Sequence, residues 1–361
     1  MVTPWYPEEG SGAGSFVRDH ARTVTGHEVV VLHLASPGPP ALDLGSDGIP
    51  VVRLPSRMPR PGLSVLADAQ SVARGLRLLR GRGFRPDLIH AHVFGAGLAA
   101  LPAARALRIP LVLSEHYSGL ARGEVPRRGR AVAAAAYRAA HTVTAPSASL
   151  SATIQGVVPG VRVRVVPNPV DTERFTPPAA RPPAPPHRLL AVASLVPVKG
   201  VAMLVDALAE LGSESPDVRL TVIGEGPERA GIERRVREAG LHALVTLAGR
   251  RTRAEVADEM RRSHLIVAPS EWETFSVVVA EALCSGLPVL ATRVGALPEL
   301  VDAGSGRLVD PSAAALADGL RSMLPELDSF EPAAIAEMAR RRWGHDEVGA
   351  LWRSLYDELA G

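Results

Sequence analysis

Short β-branched or apolar runs at His27 to Leu34, Asp87 to His92, Pro110 to Ser114, His141 to Ala145 and Val161 to Val166 alternate with segments of helical periodicity such as Leu63 to Arg82 and Gly129 to Ala140. Strand, helix, strand at this spacing predicts a parallel sheet covered on both faces. The segment Val166 to Asp171 and the stretch Thr176 to His187, with its six prolines, can continue neither helix nor sheet and should cross semi-rigidly to a second domain. A second series then runs through Leu189 to Ser194, Leu220 to Ile223, Val245 to Ala248, Leu265 to Ala268 and Val289 to Thr292, again interleaved with helices, which predicts another doubly wound sheet. Asp346 to Ala360 reads as one amphipathic helix. The opening Met1 to Pro7 leaves almost no room for a first strand before the Gly10 to Gly14 loop, so the start reads as truncated or misassigned.

Length agrees with this division. A chain of 361 residues suits two α/β domains of roughly 170 residues each, and two lobes imply a cleft. With 46% hydrophobic and 22% charged residues, the protein should be globular rather than disordered. A net charge of +2, scattered Arg and 4% aromatics give little to hold or stack nucleic acid, so no nucleic-acid partner is expected. The single cysteine, Cys284, excludes an internal disulfide and sits in an apolar helix, where it should pack rather than react. Apolar stretches such as Val93 to Ala104 are too short to span a bilayer, and no leader-like segment opens the chain, so a cytoplasmic protein is expected.

Lys199 is the only lysine among 40 basic residues, and it stands in Ser194 to Gly200, where a strand should turn into a helix. A compact ammonium at such a turn suits a diphosphate, because free N–H groups and the helix dipole both favour an anion there. Glu273 and Glu281 flank seven residues across a loop and the helix that follows, an offset of up to ~12 Å along a helix axis. That spacing suits the two ends of a folded nucleotide sugar: Glu273 to sugar hydroxyls, Glu281 to both ribose hydroxyls, and the amides near Ser276 and Val277 to the diphosphate between them. The plainer alternative makes Glu273 a capping acid and Glu281 an exposed helix charge, although an unpaired carboxylate in so apolar a stretch would be costly.

In the first domain, Gly10 to Gly14 precedes an amphipathic helix and would let backbone amides approach a phosphate, or be an ordinary glycine loop. His116 ends a strand at its carboxyl edge, where open α/β sheets bind ligands. His90 and His92 alternate onto one strand face with no third ligand following, and read as cleft-lining or core residues rather than a metal site. Arg127, Arg128 and Arg130 precede an Ala-rich helix and offer either a weak peripheral contact to anionic lipid at the inner membrane face or a solvated loop.

Three blocks of this sequence resemble the family 4 retaining glycosyltransferases of GT-B fold: Val192 to Gly200, Val222 to Pro227, and Pro269 to Thr292 with its Glu273/Glu281 pair. Val166 to Phe175 and Leu297 to Val301 extend the likeness over nearly the whole chain, and Pro269 to Thr292 is its most specific part. The resemblance implies an α/β fold of two Rossmann-like domains facing a cleft: an acceptor domain 1–170, a nucleotide-sugar domain 171–345, and a helix 346–361 packing back toward the first. It implies a hexosyltransferase moving a hexose or N-acetylhexosamine from a nucleoside diphosphate sugar, UDP-linked by preference and GDP-linked as the alternative, to a hydroxyl acceptor with retention. No cofactor or metal is implied, and the chain has no Asp-x-Asp to hold a bridging ion. By the same resemblance Lys199 and the Gly14 loop contact the diphosphate, Glu281 the ribose, Glu273 the transferred sugar, and His116 the sugar near its anomeric centre; Phe275, Ser276, Val277 and Ser194 complete the donor-binding set.

Two positions depart from the family pattern. Ser194 stands where many members have Arg, which removes a positive charge, so that either Arg293 or another cation compensates or turnover is modest, and Ser276 replaces a common Gly. Rival readings are a nucleotide-sugar epimerase and a non-catalytic sugar-nucleotide binder. A nicotinamide oxidoreductase fits poorly, because Gly10-x-Gly12-x-x-Ser15 and Gly224-x-Gly226-x-x-Arg229 both lack the third glycine of the dinucleotide fingerprint.

Overall fold

A computed structural model describes residues 1–6, 15–36, 40–45, 48–56, 63–212 and 217–360. The chain divides into two compact units, Met1–Pro169 with His345–Gly361, and Val170–Gly344.

In chain order the first unit contains β1 (Val2–Thr3), α1 (Ser15–Thr23), β2 (Val31–Ser36), β3 (Ala41–Leu44), β4 (Pro50–Pro55), α2 (Leu63–Arg80), β5 (Ile89–His92), α3 (Phe94–Leu107), β6 (Leu111–Ser114), α4 (Arg127–Ala139), β7 (Thr142–Ala145), α5 (Ala148–Val157) and β8 (Val163–Val165). The sheet order is β3-β4-β2-β1-β5-β6-β7-β8, parallel apart from the exposed edge strand β3, which pairs antiparallel with β4. β1 is only two residues long, yet it pairs with β2 on one side and β5 on the other. The opening therefore does accommodate a first strand, at the centre of the sheet. β5 and β6 are buried along their whole length, as expected of strands covered on both faces.

The second unit contains β9 (His187–Val192), α6 (Val201–Leu211), β10 (Val218–Ile223), α7 (Arg229–Glu238), β11 (Val245–Gly249), α8 (Arg253–Arg262), β12 (Leu265–Ala268), α9 (Val277–Cys284), β13 (Val289–Thr292), α10 (Leu297–Leu300), β14 (Gly306–Val309), α11 (Ala313–Met323) and α12 (Pro332–Trp343). Its sheet, β11-β10-β9-β12-β13-β14, is parallel throughout. The strand order reverses between β9 and β12, and between β1 and β5 in the first unit; open α/β sheets receive ligands beyond the strand carboxyl ends at such points. α9 is buried from Val279 to Cys284, so Cys284 is a packing residue.

The last helix, α13 (His345–Ala360), belongs to the first unit. It lays Val348, Trp352, Leu355 and Tyr356 against Val24, Val112 and Val166.

Candidate active site

Two backbone turns meet at the switch point of the second unit. After β9 the chain passes Ser194 and makes a 3-10 turn, Pro197–Lys199, ending at Gly200 with φ 63°. A Cβ on Gly200 would lie 2.0 Å from the Pro269 carbonyl oxygen, so only glycine lets this turn press against the segment leaving β12. The Glu271 N–H donates to the Val198 carbonyl at 2.8 Å and joins the same two segments.

This contact brings Lys199 onto Glu273. Lys199 Nζ donates to Glu273 Oε1 at 2.7 Å, and Ser270 Oγ donates to the same oxygen at 2.9 Å. The Glu273 side chain is nearly buried while that of Lys199 is about one-third exposed, so the ammonium keeps a solvent-facing side. The backbone of Glu273 is held too: Ala296 N–H donates to its carbonyl at 3.0 Å, and a Cβ on Gly295 would fall 2.0 Å from that oxygen. Thr292 Oγ1 donates to the Ser270 carbonyl. The loop carrying the first acid is thus fixed at several points rather than free to fold over a ligand.

Ser276 follows with φ 69° and ψ 80°, a left-handed conformation that costs a residue with a Cβ, and Val277 then opens α9. The Ser276 departure from Gly falls at a position where glycine would be unstrained. Phe275 has its ring buried against Trp343, with centroids 6.3 Å apart, so the backbone is what it could offer a ligand. Ser194 is exposed beside the Lys199 turn. Arg293, one of the cations that could have compensated for the missing charge, donates from Nη2 to the Leu308 carbonyl of β14 at 3.0 Å.

Glu281 is neither an exposed helix charge nor an isolated acid. Arg253 Nη2 donates to Glu281 Oε1 at 2.6 Å, with the side chains 10% and 7% exposed. Sequence reasoning missed Arg253, although its setting is legible. Thr252 and Glu255 form a reciprocal capping box at the start of α8, which fixes the first helical residue, Arg253. Its guanidinium also lies over the Phe175 ring, 5.3 Å from the centroid. Any ligand meeting Glu281 therefore meets an ion pair.

In the first unit, Gly14 and the Gly10 to Gly14 loop lie outside the described residues. His116 lies two residues beyond the end of β6. Its neighbour Glu115 is fully buried and accepts four hydrogen bonds: from the backbone N–H groups of His116 and Tyr117 at 2.9 Å each and Phe94 at 3.0 Å, and from Tyr137 Oη at 2.7 Å. Burial raises the Glu115 carboxyl above its ordinary value, and these donors oppose it. Burial and the Glu115 charge together raise the Tyr137 hydroxyl. One carboxyl so ties the turns after β5 and β6 to α4.

His90 and His92 share a face of β5, and the third histidine that the sequence reading did not supply comes from upstream, as His20 on α1. The three bring a ring nitrogen each within 4.8 Å of one another. Zinc needs nitrogens at ~2.0–2.1 Å, and the His90 and His92 rings lie stacked, 4.5 Å apart and inclined by 18°, so their in-plane lone pairs do not converge. Both His90 nitrogens are also engaged, Nδ1 with Tyr356 Oη at 2.6 Å and Nε2 with Ser114 Oγ at 2.7 Å. The cluster fits a hydrogen-bonded stack better than a metal centre. Burial lowers all three imidazoles well below their ordinary value and lowers His116 to about 3.

Arg127, Arg128 and Arg130 are exposed at the start of α4, whose buried face is mostly alanine. Among the described residues no helix is long and apolar enough to cross a membrane.

Residues 10–174 match the family model described as Glycosyltransferase Family 4, and residues 174–342 match that described as Glycosyl transferases group 1. Across 387 aligned residues, covering 100% of this chain and 94% of the relative, it is 33% identical to the GDP-mannose-dependent alpha-mannosyltransferase of Mycobacterium tuberculosis (strain CDC 1551 / Oshkosh). The chain belongs to glycosyltransferase family 4. This transferase also resembles the sucrose-phosphate synthase (tll1590) from Thermosynechococcus elongatus, with TM-score 0.84, 22% identity and coverage of 96% of this chain and 93% of that one. The structure of Anabaena Alr3699/HepE in complex with UDP and glucose gives TM-score 0.80 at 21% identity, covering 99% of both chains. The fold class of the transferase is accordingly GT-B, with two Rossmann-like α/β units.

Proposed function

We propose that this transferase moves a hexose or N-acetylhexosamine from a nucleoside diphosphate sugar to a hydroxyl acceptor, with retention and without a metal ion. The observation that carries the reading is the Lys199–Glu273–Ser270 cluster beyond the carboxyl ends of β9 and β12. Lys199 is an ammonium about one-third exposed on a flexible stem, able to turn from Glu273 toward a diphosphate while the amides opening α9 face the same anion. As the bond from the anomeric carbon to the phosphate oxygen breaks, charge grows on the departing diphosphate, and preorganised donors act most strongly there. The new bond forms to the acceptor oxygen, whose proton passes to the leaving phosphate oxygen. Glu273, released from Lys199, orients sugar hydroxyls, and the Arg253–Glu281 pair receives the ribose. His116 contributes a neutral imidazole as a hydrogen-bond partner of the sugar.

The family resemblance favours a uridine nucleotide, and the 33% identical relative named for GDP-mannose supports a guanosine one. Incubation with UDP-glucose, UDP-N-acetylglucosamine and GDP-mannose, each with and without EDTA and a panel of hydroxyl acceptors, should release nucleoside diphosphate from one donor class. Lys199→Ala should lower kcat/KM by on the order of 100-fold, the usual effect of removing one charge-stabilising donor. Parent-like turnover by Lys199→Ala and Glu273→Gln would place the donor elsewhere. Epimerised donor formed without acceptor would favour the epimerase.

A further inference from the structure

Lys199 Nζ and Glu273 Oε1 are 2.7 Å apart, with the Lys199 side chain 30% exposed and that of Glu273 10%. The two partners differ in what they can do when the contact opens. The ammonium has a solvent-facing side and a flexible four-carbon stem, so it can swing away. Glu273 cannot follow, because its backbone is pinned by the Ala296 N–H at 3.0 Å and by the close approach of Gly295. Once Lys199 leaves, the carboxylate keeps the Ser270 hydroxyl at 2.9 Å and loses this cation. A nearly buried ionised group in that position needs new donors.

A diphosphate makes the opposite demand on the same ammonium. Ser194, exposed in the same turn, brings no charge, and Arg293 donates to the Leu308 carbonyl. Lys199 is the cation that this turn offers an anion. An ammonium carries three donors, but bridging both partners would hold a nearly buried carboxylate against a diphosphate, and like charges so placed repel.

We propose that this ion pair discriminates between the sugar nucleotide and the nucleoside diphosphate left after transfer, an inference that rests on the donor site assigned above. With the whole donor bound, sugar hydroxyls donate to Glu273 in place of the ammonium, which is released to hold the diphosphate. With the nucleoside diphosphate alone nothing replaces it, and Glu273 draws Lys199 back. Loss of the sugar thus loosens the grip on the leaving group and favours release of the spent nucleotide.

Lys199 is the only lysine among the 40 basic residues, so lysine labelled with ¹⁵N at Nζ gives one side-chain signal from the full chain. Spectra and calorimetric titrations with UDP, GDP, UDP-glucose and GDP-mannose, without acceptor, test the proposal. In the parent, the sugar nucleotide that binds should move the lysine signal well away from its free position, and the matching nucleoside diphosphate should leave it near that position. Glu273→Gln keeps the shape of the side chain and removes its charge, and both ligands should then give the same lysine signal. The variant should bind the nucleoside diphosphate about fivefold more tightly than the parent, the upper end for an ion pair with one partner open to solvent. Its preference for the sugar nucleotide over the nucleoside diphosphate should shrink by about tenfold, as neutral hydrogen bonds replace charge-assisted ones. One parent lysine signal shared by both bound states, or a nucleoside diphosphate affinity that Glu273→Gln does not raise, overturns the proposal. Nucleotides that bind without moving the lysine signal in parent or variant refute the donor site itself, as does failure of all four to bind. If donor binds and no sugar is transferred to any acceptor, the reaction assigned above fails while the lysine signal still decides the role of the pair.

Discussion

Replacing Arg253 by Met would remove the cation that pairs with the Glu281 carboxylate inside the second unit. The two side chains are 10% and 7% exposed and joined at 2.6 Å, so little water can take the place of the guanidinium. Removing one partner of such a pair costs about 3–5 kcal/mol, and loss of the cation from the Phe175 ring adds about 0.5–2 kcal/mol. The methylenes of Met recover part of the packing, so we expect a net loss of about 4 kcal/mol, equivalent to on the order of 10 °C in melting temperature for a unit of this size. Urea and thermal unfolding followed by circular dichroism and tryptophan fluorescence give the single-variant values. Arg253→Met with Glu281→Leu completes a double-mutant cycle and should recover most of the loss, because an apolar pair is commonly as stable as the buried ion pair it replaces. A cost below about 1 kcal/mol for Arg253→Met would mean that solvent reaches Glu281, and the reasoning would fail.

Three further outcomes follow from the geometry. His20, His90, His92 and His116 are depressed in the folded protein, as is the Met1 amine, lowered to about 5. The unfolded chain therefore binds more protons below the ordinary histidine value, and the first unit should lose on the order of 3 kcal/mol or more as pH falls from 7 toward 4. Raised Glu115 acts in the opposite sense, so denaturation midpoints that rise on acidification would show that the histidines do not dominate. Ser276→Gly relieves a left-handed residue at φ 69° and should gain about 0.5–1 kcal/mol after the added freedom of the unfolded glycine is counted; a loss of stability would contradict the strain. Gly295→Ala, with φ 50° and a Cβ directed 2.0 Å from the Glu273 carbonyl oxygen, should cost at least ~2 kcal/mol and lower donor turnover, and a parent-like melting curve with parent-like turnover would refute it.

Most strands were legible because each is a compact apolar run bounded by polar or glycine-rich segments. β3, β4 and β14 add to that pattern, and β1 is too short at two residues for alternation to register. Lys199 stood out by composition and Glu273 by its loop before a helix, and the fold brings these residues, 74 positions apart, into contact. Arg253 was invisible as a partner of Glu281 because an ion pair between different helices leaves no periodic mark, even though its capping box is plain in sequence. His20 was missed for a related reason: it lies 70 residues upstream of His90 and 72 upstream of His92, and only the packing of α1 over β5 joins them. Whether Arg293 could supply the missing charge could not be judged without knowing that β14 lies beside it.

The placement of α13 in the first unit bears on how the protein is made. Ribosomes deliver chains from the amino end, so the strands carrying His90 and Ser114 emerge long before Trp352 and Tyr356, the residues that roof them. The second unit is contiguous from Val170 to Gly344 and can complete its core in one pass. The first must wait with Val24, Val112 and Val166 uncovered until the final sixteen-residue helix arrives, so the earlier-synthesised unit should be the later one to mature and the one that relies more on protection during translation.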